Sequence, residues 1–268
     1  MTSYCPSFVY SHKGMENFME IFIGLFAVSA IRYFLVAGIA FFLVYKLLDR
    51  KLSKSKIQSR LASGQDFRRE IFHSMQSTAI MSGVAFVVLF TDLKHFTLIY
   101  DDLSSFGYWY LPVSVALSLV VHDTYFYWMH RFLHHPRIFR YAHLIHHKSV
   151  NPSPWASYSF HVIEAFTEGA ILVVLAMVLP MHPLAIALFV FAGFVINVYG
   201  HLGYEIMPRG FRKTWLFEVI NTSTHHNMHH SKFKGNYGLY FRFWDRVMGT
   251  ERPEYVREYD RLQKQRFE

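Results

Sequence analysis

Residues 108–135 read YWYLPVSVALSLVVHDTYFYWMHRFLHH. The first half is almost wholly apolar, and the second half, with no helix breaker between, brings His122, His130, His134 and His135. A segment that is apolar on every face is buried in a large core or spans a membrane. If the helix runs on, His130 and His134 share a face at a spacing of four, and His122, eight earlier, lies near it. The stretch therefore predicts a membrane helix that delivers imidazoles at one end.

The rest of the chain supports a membrane setting. Hydrophobic residues make up 52% of the 268 positions and aromatics 18%, while charged residues, at 17%, gather in a few segments. That is the distribution expected where an unpaired charge in hydrocarbon is costly. A span needs about 20 mostly apolar residues, and five segments approach this: 21–48, 77–100, 108–129, 162–179 and 184–199. The fold expected is all-α, an integral-membrane bundle of four or five spanning helices with a helical cap that carries the histidines. Arg32, inside the first span, reads as a snorkelling residue or one paired with a neighbouring span. Residues 1–20 form an N-terminal segment on the non-cytoplasmic side, and 21–268 one membrane domain. The N-terminus lacks the basic, apolar and small-residue regions of a secretory signal.

Between the first two spans lie eight basic residues, Lys46, Arg50, Lys51, Lys54, Lys56, Arg60, Arg68 and Arg69. Cytoplasmic loops are enriched in Lys and Arg, so this loop is expected to be cytoplasmic. Threading five spans from it brings 130–160 and everything after 200 to the same face. The net charge of +8 then reflects anionic headgroups, not nucleic acid. The single cysteine, Cys5, excludes a disulfide framework, a cysteine zinc site and an iron–sulfur cluster built from this chain alone.

Two further histidine groups follow. HLIHH gives His143, His146 and His147 at i, i+3 and i+4, expected on one helical face, and HNMHH repeats that spacing and face with His226, His229 and His230, with His225 beside them. Imidazole is the commonest side-chain metal ligand. One HxxxH in a helix is weak evidence, but two HxxHH triads beside it are specific, because eight buried imidazoles without partners would leave many ring nitrogens unsatisfied. Eight ligands exceed what one ion takes, so the count favours two metals. Spacing does not choose between iron and zinc.

These motifs resemble the fatty acid hydroxylase and sterol desaturase superfamily, membrane oxygenases with histidine boxes and a non-haem di-iron centre. The resemblance covers about 115–250 and includes HDTYFYWMHR, NPSP after the second box, HVIEA where relatives often have His-Pro-x-Glu, and NYGLYFRFWDRVMGT. It implies His130, His134, His143, His146, His147, His226, His229 and His230 as ligands. His201 sits where some relatives place a further one, and His122 is a further candidate. Asp123, His161 and Glu164 become candidates to orient the ligating rings.

The function expected is hydroxylation or desaturation of a lipid, with two irons, dioxygen, and electrons from a separate cytochrome b5-like or ferredoxin-like protein, because the chain shows no nicotinamide, haem or cysteine-cluster motif. Zinc could substitute in the site, and the competing readings are a zinc-dependent membrane hydrolase and a metal transporter. Transport pathways usually place ligands near the bilayer midplane, whereas these triads follow the spans. The last residues, LQKQRFE, carry no dilysine retrieval signal, which favours a bacterial inner membrane over the endoplasmic reticulum. Hydropathy does not disclose which lipid is the substrate.

Overall fold

The computed structural model describes residues 12–60 and 62–268, with side chains from Asn17 onward. Of the expected N-terminal segment, residues 1–11 lie outside the described residues, and His12 already opens a helix. Eleven α-helices follow in the described chain, with no strand beyond isolated bridges. Five are long: α1 (His12–Phe41, extended by a π-helical turn to Leu47), α2 (Gly64–Phe90), α3 (Tyr110–Leu133), α6 (Val162–Val178) and α7 (Pro183–Gly200). The short ones are α4 (Pro136–Ala142), α5 (Leu144–His147), α8 (Trp215–Val219), α9 (Ser223–Lys232), α10 (Phe243–Val247) and α11 (Tyr255–Phe267).

The five long helices form the bundle. At one end the connection after α2 meets the α6–α7 turn through the Ile99–Met181 bridge. At the other, the basic loop after α1 pairs with the segment after α7 through Lys56 and Tyr204, and Gln58 donates to the side chain of Asn227 at 2.7 Å. The basic loop, all three histidine boxes and the C-terminal helices are thus at one end. α1, α2 and α7 are long and apolar enough to cross a membrane unaided. α6 has only 17 residues, and α3 carries His122, Asp123, His130 and Arg131 in its second half. These two pack against the others with buried polar faces, so their composition understates how deep they sit. On α1, Ile23, Val28, Ile31, Leu35 and Ile39 are exposed, and on α7 so are Leu184, Leu188, Phe191 and Val195. Apolar stripes of that extent belong against lipid.

The second helix differs from its expected span. It starts at Gly64, thirteen residues before Ser77, because Ser63 and Asp66 form a reciprocal capping box that satisfies orphan N–H groups at the start of the helix. It ends at Phe90, and Asp92, Lys94 and His95 lie in a separate short helical turn. Ser-x-x-Asp was the available signal. The extra turns at its N-terminus put Glu70, wholly buried, where it accepts from Ser149 Oγ at 2.7 Å and Ser153 Oγ at 2.5 Å. α2 thereby anchors the loop that follows the second histidine box.

Arg32 faces inward from α1, its guanidinium 5.9 Å from the Phe194 ring on α7. The cap packs around Phe217, Tyr255 and Tyr259. Arg242, fully buried, lies between the Phe217 and Tyr255 rings and pairs with Glu251 at 2.6 Å.

Candidate metal centre

Nine imidazoles meet at the capped end of the bundle, in two groups. His130, His134, His143, His147 and His229 form one, and His146, His201, His226 and His230 the other. The boxes do not map one to one onto the groups. In each HxxHH the i and i+4 rings go to one group and the i+3 ring to the other: His143 and His147 part from His146, and His226 and His230 part from His229. Successive helix residues are 100° apart, so the i+3 and i+4 side chains diverge, and a helix lying between two centres feeds both. The single face expected for each triad is therefore two faces. The second box is moreover barely a helix, since His143 is the junction between α4 and the four-residue α5.

The donor atoms converge within each group. In the first, Nε2 of His147 is 3.1 Å from that of His134 and 3.0 Å from that of His229, and His130 and His143 approach Nε2 to Nε2 at 3.0 Å. In the second, His226 Nε2 is 3.1 Å from both His201 and His230, and His201 is 3.4 Å from His146. Two nitrogens each about 2.1 Å from one ion stand about 3.0 Å apart at right angles and about 3.4 Å apart at the tetrahedral angle. The spacings fit ligand sets.

Protonation points the same way. His130 Nδ1 lies 2.8 Å from the carbonyl of Tyr237, His229 Nδ1 2.8 Å from that of Gly235, and His201 Nδ1 2.8 Å from that of Asn197. A carbonyl only accepts, so Nδ1 carries the proton and Nε2 of each neutral ring is a bare lone pair. Lone pairs facing one another at 3 Å repel unless a cation lies between them. Burial, then the neighbouring rings, hold His143, His146, His226, His229 and His230 well below the ordinary histidine range. Burial takes His147 down to about 3 and His201 to about 4. The neutral form, which binds metals, is the form folded here. The donor set is all nitrogen, which suits iron or zinc.

The other candidates are placed differently. Glu164 Oε1 is 2.8 Å from His143 Nδ1, within ion-pair reach although off the line of a hydrogen bond. His122 is not among the imidazoles; it sits deeper in the bundle, Nδ1 2.9 Å from the Tyr240 hydroxyl, because eight residues along α3 is about 12 Å. Asp123 accepts from the backbone N–H groups of Tyr240 and Phe241, so it ties α3 to the cap and belongs to neither imidazole group. His161 caps α6 by accepting from Ile163 N. His135 likewise caps α4. His225 is buried against Tyr255, outside both groups.

Sequence reading missed the carboxylates that hold the histidine segments. Glu70 fixes the loop after box two. Glu205, fully buried, accepts from Thr224 N and Oγ1 at the start of α9. For Glu205, an acid amid apolar neighbours in GYEIM was the signal; Glu70 follows Arg68 and Arg69 and reads locally as one more charge of the basic loop.

Gly235 closes the third box. It has φ +78°, and a Cβ there would stand 2.5 Å from the carbonyl of Thr250, while its own carbonyl orients His229. Gly235→Ala is expected to destabilise by about 2–4 kcal/mol through left-handed backbone strain and overpacking. A thermal scan in mild detergent should show the midpoint fall by several degrees; an unchanged midpoint would contradict the packing described.

Comparison with known proteins agrees with this geometry. The fatty acid hydroxylase family pattern matches residues 115–250, which contain all nine imidazoles. The chain belongs to the fatty acid hydroxylase family. Relatives of this hydroxylase-family chain include a Delta(7)-sterol 5(6)-desaturase of Gibberella zeae, 29% identical over 84% of this chain and 66% of that protein. Lathosterol oxidase of Rattus norvegicus is 32% identical over 82% of this chain and 70% of that protein. A Delta(7)-sterol 5(6)-desaturase of Aspergillus fumigatus is 27% identical over 93% of this chain and 70% of that protein. The chain thus spans about two thirds of the length of these relatives. They are fungal and mammalian proteins and give no support to the expected bacterial inner membrane. No solved structure matches.

Proposed function

We propose that this hydroxylase-family chain is a membrane-bound di-iron oxygenase that desaturates or hydroxylates a lipid. The observation that carries the reading is the pair of imidazole groups at the end of an apolar, lipid-accessible bundle. Two irons held there would supply the oxidising power by which dioxygen takes hydrogen from an unactivated C–H bond. Each turnover would consume one dioxygen, two protons and two electrons from a separate donor. His130, His134, His143, His147 and His229 would hold one ion and His146, His201, His226 and His230 the other, with backbone carbonyls and Glu164 orienting the rings.

The bundle would position the lipid. A cavity of about 290 Å³, lined mainly by apolar side chains from α1, α2, α3, α6 and α7, runs up to Phe126, Tyr158 and Asn197. Phe126 packs on His130 with ring centroids 4.8 Å apart, and Asn197 takes the Nδ1–H of His201. Phe126 thus stands between the cavity and His130, and the Asn197 backbone between the cavity and His201. That arrangement excludes water and lets an apolar tail remain in the bilayer. The names of the relatives favour a sterol as substrate and desaturation as the outcome. The basic loop shares an end with the histidines, so that end is read as cytoplasmic by the enrichment of Lys and Arg in cytoplasmic loops, and its charge suits an acidic electron donor.

Metal analysis of chain purified in mild detergent with iron retained should give about two irons per chain. Lipid mass spectrometry of cells with and without the gene should show a species changed by one oxygen or by two hydrogens. Zinc alone together with hydrolase activity would overturn the reading.

A further inference from the structure

The cavity is mainly apolar but carries a band of polar side chains with unpartnered atoms. His122 Nε2, Glu168 Oε1, Asn197 Oδ1, Ser82 Oγ and Arg32 Nε are all buried with no hydrogen-bond partner, and all five residues line the cavity. His122 and Glu168 are each 8% exposed. His122 Nε2 stands 3.6 Å from Glu168 Oε2, beyond a hydrogen bond, while Nδ1 is engaged by Tyr240. Unsatisfied polar atoms facing an apolar cavity cost folding free energy, and that cost is recovered when a ligand completes them.

The position of this band is set by the helices. Glu168 is one turn along α6 from Glu164, which contacts His143. Asn197 is one turn before His201 on α7, and His122 is two turns before His130 on α3. At 1.5 Å per residue the band lies about 6–12 Å from the imidazoles along the helix axes.

We propose that His122 and Glu168 dock a hydroxyl group of the lipid, which fixes its depth and thereby the carbon presented to the metal centre. This rests on the oxygenase reading of the site. With the Tyr240 hydroxyl donating to Nδ1, His122 donates from Nε2 to the ligand oxygen, and that oxygen donates its own hydrogen to Glu168. A hydroxyl does both. An ether or a ketone accepts only, and leaves Glu168 unsatisfied in a site from which water has been displaced. The hydroxyl could belong to a ring alcohol such as a sterol or to a long-chain alcohol; the chemistry recognised is the same.

Equilibrium binding to metal-free protein in lipid nanodiscs tests this without turnover. The probes are a 3-hydroxysterol with its 3-methyl ether, and a saturated fatty alcohol with its methyl ether. In at least one pair the alcohol is expected to bind the wild-type chain about tenfold or more tightly than the ether, because the ether leaves a buried carboxylate oxygen unsatisfied, and the pair that shows it identifies the source. Glu168→Leu should bring that ratio close to one, whereas Glu168→Gln, which keeps an accepting oxygen, should retain part of it. Equal binding of alcohol and ether in both pairs overturns the proposal, and the wild-type comparison decides even if a variant fails to fold. An undiminished ratio in folded Glu168→Leu overturns the assignment to that carboxylate. A chain that selects the alcohol but never oxidises it leaves the docking site standing and removes the oxygenase reading. A chain that oxidises a lipid without preferring the alcohol does the reverse.

Discussion

His146→Ala and His229→Ala should each abolish lipid oxygenation, with turnover falling at least about a hundredfold, since loss of a group that merely orients a ligand already costs 10–100-fold. The two substitutions probe different centres. His146 belongs to the four-ring group and His229 to the five-ring group, so each variant should lose about one iron per chain and keep the other. Metal content measured beside turnover separates this outcome from global unfolding, which would release both. His225→Ala is the control: that ring packs on Tyr255 and joins neither group, so its loss should leave the iron content at two. Unchanged turnover in His146→Ala and His229→Ala would remove these rings from the chemistry.

Lowering the pH should unfold the metal-free cap steeply. An unfolded histidine titrates near 6.5, whereas burial drives the folded rings far lower, to about 3 for His147 and about 4 for His201. Below pH 6.5 the unfolded chain therefore binds more protons than the folded one, and stability falls as pH falls. Above about pH 7 both states are neutral and these rings add no pH dependence. Each ring contributes up to about 1.4 kcal/mol per pH unit. Three acting independently would cost about 6 kcal/mol by pH 5, a large part of the roughly 5–15 kcal/mol that holds a domain together. Iron held by the neutral rings, as proposed, should raise the whole curve. Melting midpoints between pH 8 and 5, with and without iron, check this; a flat profile for the metal-free chain between pH 7 and 5 would contradict the burial of these rings as neutral groups.

The bundle was legible because hydrocarbon imposes a simple rule: every spanning residue must be apolar or find a partner inside the protein. α1, α2 and α7 satisfy it by composition alone. The second halves of α3 and the short α6 satisfy it by partnership, with Asp123 on the cap backbone and Glu164 on His143, and their depth is a property of the packed bundle. The early start of α2 was written in Ser63 and Asp66 but was obscured by the charged turn that follows.

The residue types fixed the donor chemistry. Seventeen histidines and one cysteine allow metal sites built from nitrogen, and the boxes supply more rings than one ion takes. Tertiary structure decided how those rings are shared. His201, in no box, becomes the fourth member of one group because α7 ends beside α9. His122, within the first motif, is withheld from both groups by two turns of helix and faces the cavity. Each triad is divided because adjacent residues on a helix point 100° apart, and the two imidazole groups lie on either side. Local spacing determines which rings can point together; only the packing of helices far apart in the chain determines what they point at.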